Sequence, residues 1–167
     1  IHITRGAFLE GDITAAEAEA AFFRETETIK NEQLYLALAW TGAGLAQKEQ
    51  GLWDKAETSL KNALDIHERG NYLRQAAYDW YLIASVRSKA GEYPAAVDAL
   101  TQALSLDRRT ENSYGLGCDW AALGEVYSKA GELEKAENAY LRAREIFTAV
   151  SMERELDRVN QKLESLY

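Results

Sequence analysis

Apolar and small residues recur along this chain at a fixed distance of 40 residues. Trp40, Trp80 and Trp120 mark three copies of the pattern, and each is followed eleven residues later by a glycine: Gly51, Gly91 and Gly131. Between these markers the apolar residues fall three or four positions apart, which places them on one face of an α-helix. The pattern therefore predicts repeated pairs of amphipathic helices joined by tight glycine turns.

Small and large residues alternate at matching places in the three copies. The small ones are Gly44, Ala84 and Gly124 in the first helices and Ala56, Ala96 and Ala136 in the second helices. The large ones are Trp40, Trp80 and Trp120 in the first helices and Leu60, Leu100 and Tyr140 in the second helices. Small residues let two helices approach closely, and large ones fill the space between them. The expected helices cover about 14–29, 33–50, 54–68 and 72–90, and a further helix begins at Pro94. The fourth unit covers about 113–149, and a last helix lies within 151–167.

The repeat divides the chain into one expected domain, 1–167. It comprises a partial repeat at 1–30, complete repeats at 31–70, 71–110 and 111–150, and a capping helix at 151–167. The last segment has apolar residues at helical spacing and polar residues elsewhere, as a terminal repeat needs for solubility.

The repeat resembles that of the tetratricopeptide repeat family. Its signature is matched best in the third copy, by Trp120, Leu123, Gly124, Tyr127, Ala136 and Tyr140. The period is 40 residues rather than 34, so this resembles a long-repeat variant, and the extra residues are expected to lengthen the helices beside the turns between repeats. The resemblance implies an all-α, right-handed α-solenoid of antiparallel helix-turn-helix units, whose first helices line a concave groove.

Transferred by position, the resemblance predicts which side chains face that groove. They are Leu34, Leu38, Arg74, Tyr78, Tyr81, Arg87, Tyr114, Cys118 and Glu125. Tyrosine offers a large contact area and a polar tip, so a hydrophobic helix or an extended peptide with an acidic group near Arg74 would fit. The alternative is that the tyrosines only pack within longer helix pairs or on the turns. Lys48 and Arg74 alone are a poor clamp for a C-terminal carboxylate, so chaperone-tail binding is not expected.

Several residues have a structural and a chemical interpretation. Arg87 stands at a normally aromatic place, and it either forms a salt bridge to Asp79, Asp119 or Glu125 or holds a ligand carboxylate. We expect Cys118 to be a small apolar filler rather than a reactive thiol, because no basic neighbour is evident. The three repeat tryptophans are expected in the core rather than as a sugar platform. The two histidines, His2 and His67, are expected on the surface.

The charge and composition of the chain disfavour several classes of binding partner. The net charge of −8 disfavours binding to nucleic acid or to anionic lipid. No apolar run is long enough for membrane insertion. The single cysteine excludes an internal disulfide, and a cytoplasmic location is the default, with a periplasmic or exported one if an N-terminal signal was removed.

No enzyme motif, metal cluster or cofactor motif occurs in the sequence. We therefore expect a non-catalytic protein-protein interaction scaffold that binds a peptide or helix and needs no cofactor. The alternative is a ligand-responsive regulatory segment of a larger signalling protein. The open ends of the solenoid are expected to allow weak self-association.

Overall fold

A computed structural model describes residues 30–167, and this part of the chain forms seven α-helices. They are α1 (Lys30–Glu49), α2 (Trp53–Arg69), α3 (Leu73–Lys89), α4 (Tyr93–Arg109), α5 (Ser113–Lys129), α6 (Leu133–Ala149) and α7 (Glu153–Glu164). Helices α2 to α6 each span 17 residues. The additional length of the repeat therefore lies within the helices, as predicted. The predicted helix at 14–29 and His2 lie outside the described residues.

The helices follow one another as an all-α solenoid. Each described helix packs against the next one along the chain, and α3 also contacts α5, one repeat further on. The three-residue connections between the helices make neighbouring helices antiparallel. This arrangement confirms the predicted solenoid of helix-turn-helix units. Among the described helices, none has both the length and the apolar character needed to cross a membrane.

Two kinds of turn alternate along the solenoid. The turns inside a repeat place a glycine in the left-handed region, whereas the turns between repeats place Asn71, Glu111 or Ser151 there, with φ values of 56°, 51° and 56°. In the α3–α4 turn, where Gly91 has φ 81°, the Glu92 N–H donates to the Arg87 carbonyl at 2.9 Å and closes the end of α3. The sequence predicted the glycine turns because only glycine adopts this conformation without strain.

The core is continuous from α2 to α5, and a second cluster joins α5, α6 and α7. Ala56, Leu60, Ala96 and Leu100 are buried in the first cluster, and Trp80 packs partly buried against it. The second cluster contains Ala136, Tyr140, Ala143, Phe147 and Val159, with Trp120 at its edge. The repeat tryptophans therefore pack against the core, although each keeps part of its surface exposed.

Gly124 allows α5 and α6 to approach closely. A Cβ atom at this position would lie 2.6 Å from the ring carbons of Tyr140, which is 3% exposed. The preceding repeat has Ala84 and Leu100 at the corresponding places, so a larger residue on the first helix is matched there by a smaller one on the second.

We expect Gly124→Ala to lower the free energy of unfolding by about 1–3 kcal/mol, because overpacking displaces the Tyr140 ring. Urea denaturation followed by far-UV circular dichroism measures this change. The matched control is Gly124→Ala with Tyr140→Leu, which copies the Ala84–Leu100 pair. The loss of unfolding free energy in the double variant should be smaller than the sum of the losses in the two single variants. Strict additivity would contradict the assigned contact.

Candidate functional site

A cavity lies between α1 and α3 on the predicted groove face. Its volume is about 430 Å³, and it is lined by Leu34, Leu38, Thr41, His67, Arg74, Gln75, Tyr78 and Asp79. Two of its large side chains are open to solvent, since Leu38 is 67% exposed and Tyr78 is 54% exposed. Large apolar groups that remain exposed together on a folded protein often mark a contact surface. We call this space the apolar cavity.

A second cavity, of about 120 Å³, lies between α3 and α5. Its polar lining comprises Tyr81, Ser85, Ser88, Lys89, Glu125 and Lys129. Lys129 Nζ lies 2.8 Å from Glu125 Oε1, and this hydrogen bond lowers the pKa of Glu125. Burial raises the pKa of Tyr81 to about 12, so its hydroxyl stays protonated. We call this space the polar cavity.

The two cavities are joined by a pair of aromatic rings. The rings of Tyr78 and Tyr81 stack with centroids 6.3 Å apart and an angle of 12° between their planes. Tyr78 lines the apolar cavity and Tyr81 lines the polar one. The groove face of α3 thus presents one aromatic surface between an apolar and a polar region.

Arg74 lies on the rim of the apolar cavity. It is exposed, and its Nη2 donates a hydrogen bond to the Thr110 carbonyl at 3.2 Å, at the end of α4. A guanidinium carries five N–H donors, so this one bond leaves capacity for an acidic group. Arg74 thus lies at the edge of the space lined by Leu34, Leu38 and Tyr78.

Tyr114 and Cys118 lie on α5 outside both cavities. Tyr114 is 48% exposed, and its ring centroid is 6.4 Å from that of Phe147. Cys118 is partly buried against the second core cluster, and burial raises the pKa of its thiol. A thiol with a raised pKa is a weak nucleophile near neutral pH, which agrees with its expected role as a filler.

The predicted partners of Arg87 were wrong. Its guanidinium forms ion pairs with Glu57 on α2 and Glu92 in the α3–α4 turn, and it lines neither cavity. Burial alone would raise the pKa of Glu57, but hydrogen bonds from Lys61 and Arg87 outweigh burial and lower it. Arg87 therefore ties α3 to the preceding repeat. The structure supports the salt-bridge interpretation with different acidic residues.

The predicted surface position of His67 was also wrong. The residue is 8% exposed, and its Nδ1 lies 2.5 Å from Asp79 Oδ2, beside the apolar cavity. Burial raises the pKa of Asp79, and the hydrogen bond with His67 offsets part of that rise. The 40-residue spacing carried a signal that could have found this pair, because the same two places hold Asp107 and Asp119 in the next repeat.

Metal binding has no support in the described part of the chain. No group of three or more His, Cys, Asp or Glu residues within 30–167 is placed to hold a metal ion. The two cavities are lined instead by aromatic, aliphatic, hydroxyl and charged groups.

Comparison with solved structures shows the same fold in other proteins. The apo form of RapI has a TM-score of 0.82 at 17% identity, with 97% of this chain and 44% of that chain covered. A Rap protein complexed with Competence and Sporulation Factor has a TM-score of 0.75 at 16% identity, with coverages of 98% and 46%. The putative kinesin light chain repeats of Podosopora anserina have a TM-score of 0.65 at 12% identity, with coverages of 99% and 92%. This chain thus spans less than half the length of the two Rap chains.

Sequence comparison identifies the family. A search of curated proteins found no match. The tetratricopeptide repeat model matches residues 35–109 and, in a second overlapping placement, residues 73–149. These placements together cover well over half of the chain and include α2 to α6 completely. The chain belongs to the tetratricopeptide repeat family.

Proposed function

We propose that this protein is a non-catalytic interaction module that holds an extended peptide or an amphipathic helix in its concave groove. The observation that carries the proposal is the exposure of Leu38 and Tyr78 at the apolar cavity. The cavity volume of about 430 Å³ lies in the range of sites that enclose small ligands, so it suits one or two large side chains of a peptide. Burying such a side chain contributes about 1.5–3 kcal/mol.

The charges around the groove favour a ligand with an acidic group beside its apolar anchor. Arg74 stands at the rim of the apolar cavity, and the polar cavity holds Lys89 and Lys129 against one acid, Glu125, which pairs with Lys129. These cations contrast with the net charge of −8 of the whole chain. They would therefore orient an acidic peptide in the groove while the rest of the surface repels it.

Substitution of the aromatic groove residue tests the proposal. Peptides selected from a random displayed library against the parent chain provide the probe, and fluorescence anisotropy gives their Kd. We expect Tyr78→Ala to weaken binding at least tenfold, about 1.4 kcal/mol, because aromatic anchors dominate such interfaces.

A matched control is Leu133→Ala, which removes a large side chain that is 38% exposed on α6 and lines neither cavity. This variant should bind the selected peptides as the parent does. Equal affinity of the parent and Tyr78→Ala would refute the groove as the binding site.

A second candidate is a regulatory segment of a larger protein whose curvature responds to a ligand. It is favoured by the ionisable side chains that lie buried between repeats, namely His67 with Asp79 and Asp107 with Asp119. Buried ionisable groups make an interface between repeats sensitive to its surroundings. A small molecule that raises the melting temperature without displacing the selected peptides would support this function.

We also propose that residues 1–167 form one domain with a partial repeat at 1–30, complete repeats at 31–70, 71–110 and 111–150, and a cap at 151–167. The packing of α7 supports the cap. It buries Val159 against the second core cluster, and Leu156 and Leu163 pack there partly buried. The remaining surface of α7 is largely polar, which suits the end of a solenoid.

A further inference from the structure

Two carboxyl groups are buried together between α4 and α5. Asp107 is 4% exposed and Asp119 is 2% exposed, and the Asp119 carboxyl is hydrogen-bonded to Asp107. Asp107 also accepts a hydrogen bond from Asn112 Nδ2 at 2.8 Å. The Oδ2 atom of Asp119 is buried with no hydrogen-bond partner in the described part of the chain. Two adjacent buried carboxyl groups cannot both ionise without a large cost, so they share a proton.

The surroundings give this pair little compensation. Burial raises the pKa of Asp107, and its hydrogen bonds with Asn112 and Asp119 and the charge of Arg74 on α3 offset part of that rise. Cys118 beside the pair and Tyr81 on α3 provide no positive charge. Burial, followed by the charge and hydrogen bond of Asp107, raises the pKa of Asp119 to about 8. Asp119 is therefore protonated near neutral pH and donates its hydrogen bond to the Asp107 carboxylate.

Tight packing holds the pair against the start of α5. A Cβ atom at Gly115 would clash with Asp107 Oδ2 and Asn112 Nδ2, so a larger residue here would displace the carboxyl group or its partner. The Gly115 N–H donates to Asn112 Oδ1 at 3.2 Å, which connects the first turn of α5 to the residue that bonds Asp107. Charge repulsion within the pair would thus act directly on the first turn of α5.

The other two interfaces between repeats differ at the same places. The α2–α3 interface has His67 and Asp79, where a basic ring faces the acid. The α6–α7 interface has Phe147 and Val159, both buried and apolar. Among these three interfaces, only α4–α5 places two acids together. The fold therefore does not require an acid pair at this place.

We propose that the α4–α5 interface is a pH-sensitive hinge, in which loss of the proton shared by Asp107 and Asp119 loosens the packing of α5 on α4. The proton leaves to solvent, and two carboxylates remain in a buried site. Because α5 supplies Glu125 and Lys129 to the polar cavity and α3 supplies Tyr81, loosening α5 would reshape the polar cavity. The hinge does not depend on peptide binding, so it can be tested without a ligand.

The direction in which stability changes with pH follows from the difference between the pKa of Asp119 in the folded and in the unfolded state. A group whose pKa is raised in the folded state makes its full contribution to stability at pH values below its ordinary pKa. That contribution is lost as the pH rises through the raised pKa of the folded state. The folding equilibrium constant should thus fall by up to tenfold per pH unit between about pH 4 and pH 8 on account of Asp119. Above about pH 8 the folded protein itself loses the proton, and the hinge should loosen.

Hydrogen exchange on the full chain, corrected for the pH dependence of the intrinsic rate, locates the change. Between about pH 6.5 and pH 9.5 we expect protection in the α4–α5 turn and the first turns of α5 to fall at least tenfold in the parent. Asp119→Asn should lose this change, since its amide donates to Asp107 without titrating. Asp107→Asn provides a second test if the first variant folds poorly.

Asp98→Asn is the matched control, because Asp98 is an exposed acid on the same α4. It should keep the full pH effect of the parent. Protection that is independent of pH in the parent would overturn the hinge. A uniform loss of protection over all helices, equal in the parent and in Asp119→Asn, would do the same.

Discussion

Replacement of Phe147 by alanine is expected to lower the free energy of unfolding by about 3–5 kcal/mol. Phe147 is 2% exposed and is among the largest fully buried side chains in the described part of the chain. Its ring lies under α5, where a Cβ atom at Gly117 would be only 2.5 Å from Phe147 Cε1. Removal of the ring therefore leaves a cavity between α5 and α6 that the helices cannot close without moving. Urea denaturation followed by tryptophan fluorescence measures the loss.

The control for this variant is an exposed aromatic residue near the same end of the solenoid. Tyr167 is 83% exposed, and its hydroxyl donates to Glu137 Oε2 at 2.8 Å. We expect Tyr167→Ala to change the free energy of unfolding by less than about 0.5 kcal/mol, as is usual at the surface. Similar losses in the two variants would show that Phe147 is not the core residue described.

Removal of the His67 side chain is expected to cost about 3–5 kcal/mol near neutral pH, which is the usual effect of breaking a buried pair. In His67→Ala the Asp79 carboxyl, 1% exposed, loses its partner at 2.5 Å. Burial already raises the pKa of Asp79, so the unpartnered acid should take up a proton. Because stability linked to a raised pKa is lost as the pH rises, the effect should be smallest near the ordinary pKa of 3.8 and grow above it.

Another interface of the same protein suggests a substitution that should restore the stability lost in His67→Ala. The α6–α7 interface carries Phe147 and Val159 at the places of His67 and Asp79. The double variant His67→Phe with Asp79→Val should recover most of the loss, since an apolar pair of suitable shape often replaces a buried polar pair at no net cost. Chemical denaturation at about pH 5 and pH 8 separates the charge effect from packing. A double variant as unstable as His67→Ala would contradict desolvation of Asp79 as the cause.

The predicted groove shows how far a repeat pattern can locate a site. Leu34, Leu38, Arg74 and Tyr78 do share one cavity, because equivalent positions on successive first helices lie side by side in any regular solenoid. Ser85 and Glu125, which are equivalent positions, share the other cavity with Tyr81, which lies one turn before Ser85. The repeat pattern therefore predicts which side chains share a cavity.

The helix pairs, the glycine turns and the buried repeat positions could be predicted from the sequence alone. These depend on periodicity and on local backbone preferences, which recur in every unit. Leu60, Leu100 and Tyr140 are buried as their shared position predicted. The close approach at Gly124 could likewise be predicted from the alternation of small and large residues.

The pairing of charged residues between repeats could not be predicted from the sequence and depends on how the repeats pack. Arg87 pairs with Glu57 from the preceding repeat rather than with the acids expected from helix position, and His67 turns inward to Asp79. The rotation of each repeat against the next sets these contacts, and small changes of angle redirect a long side chain by several ångströms. Periodicity specifies the face on which a residue lies, whereas the angle between repeats decides which residue it reaches.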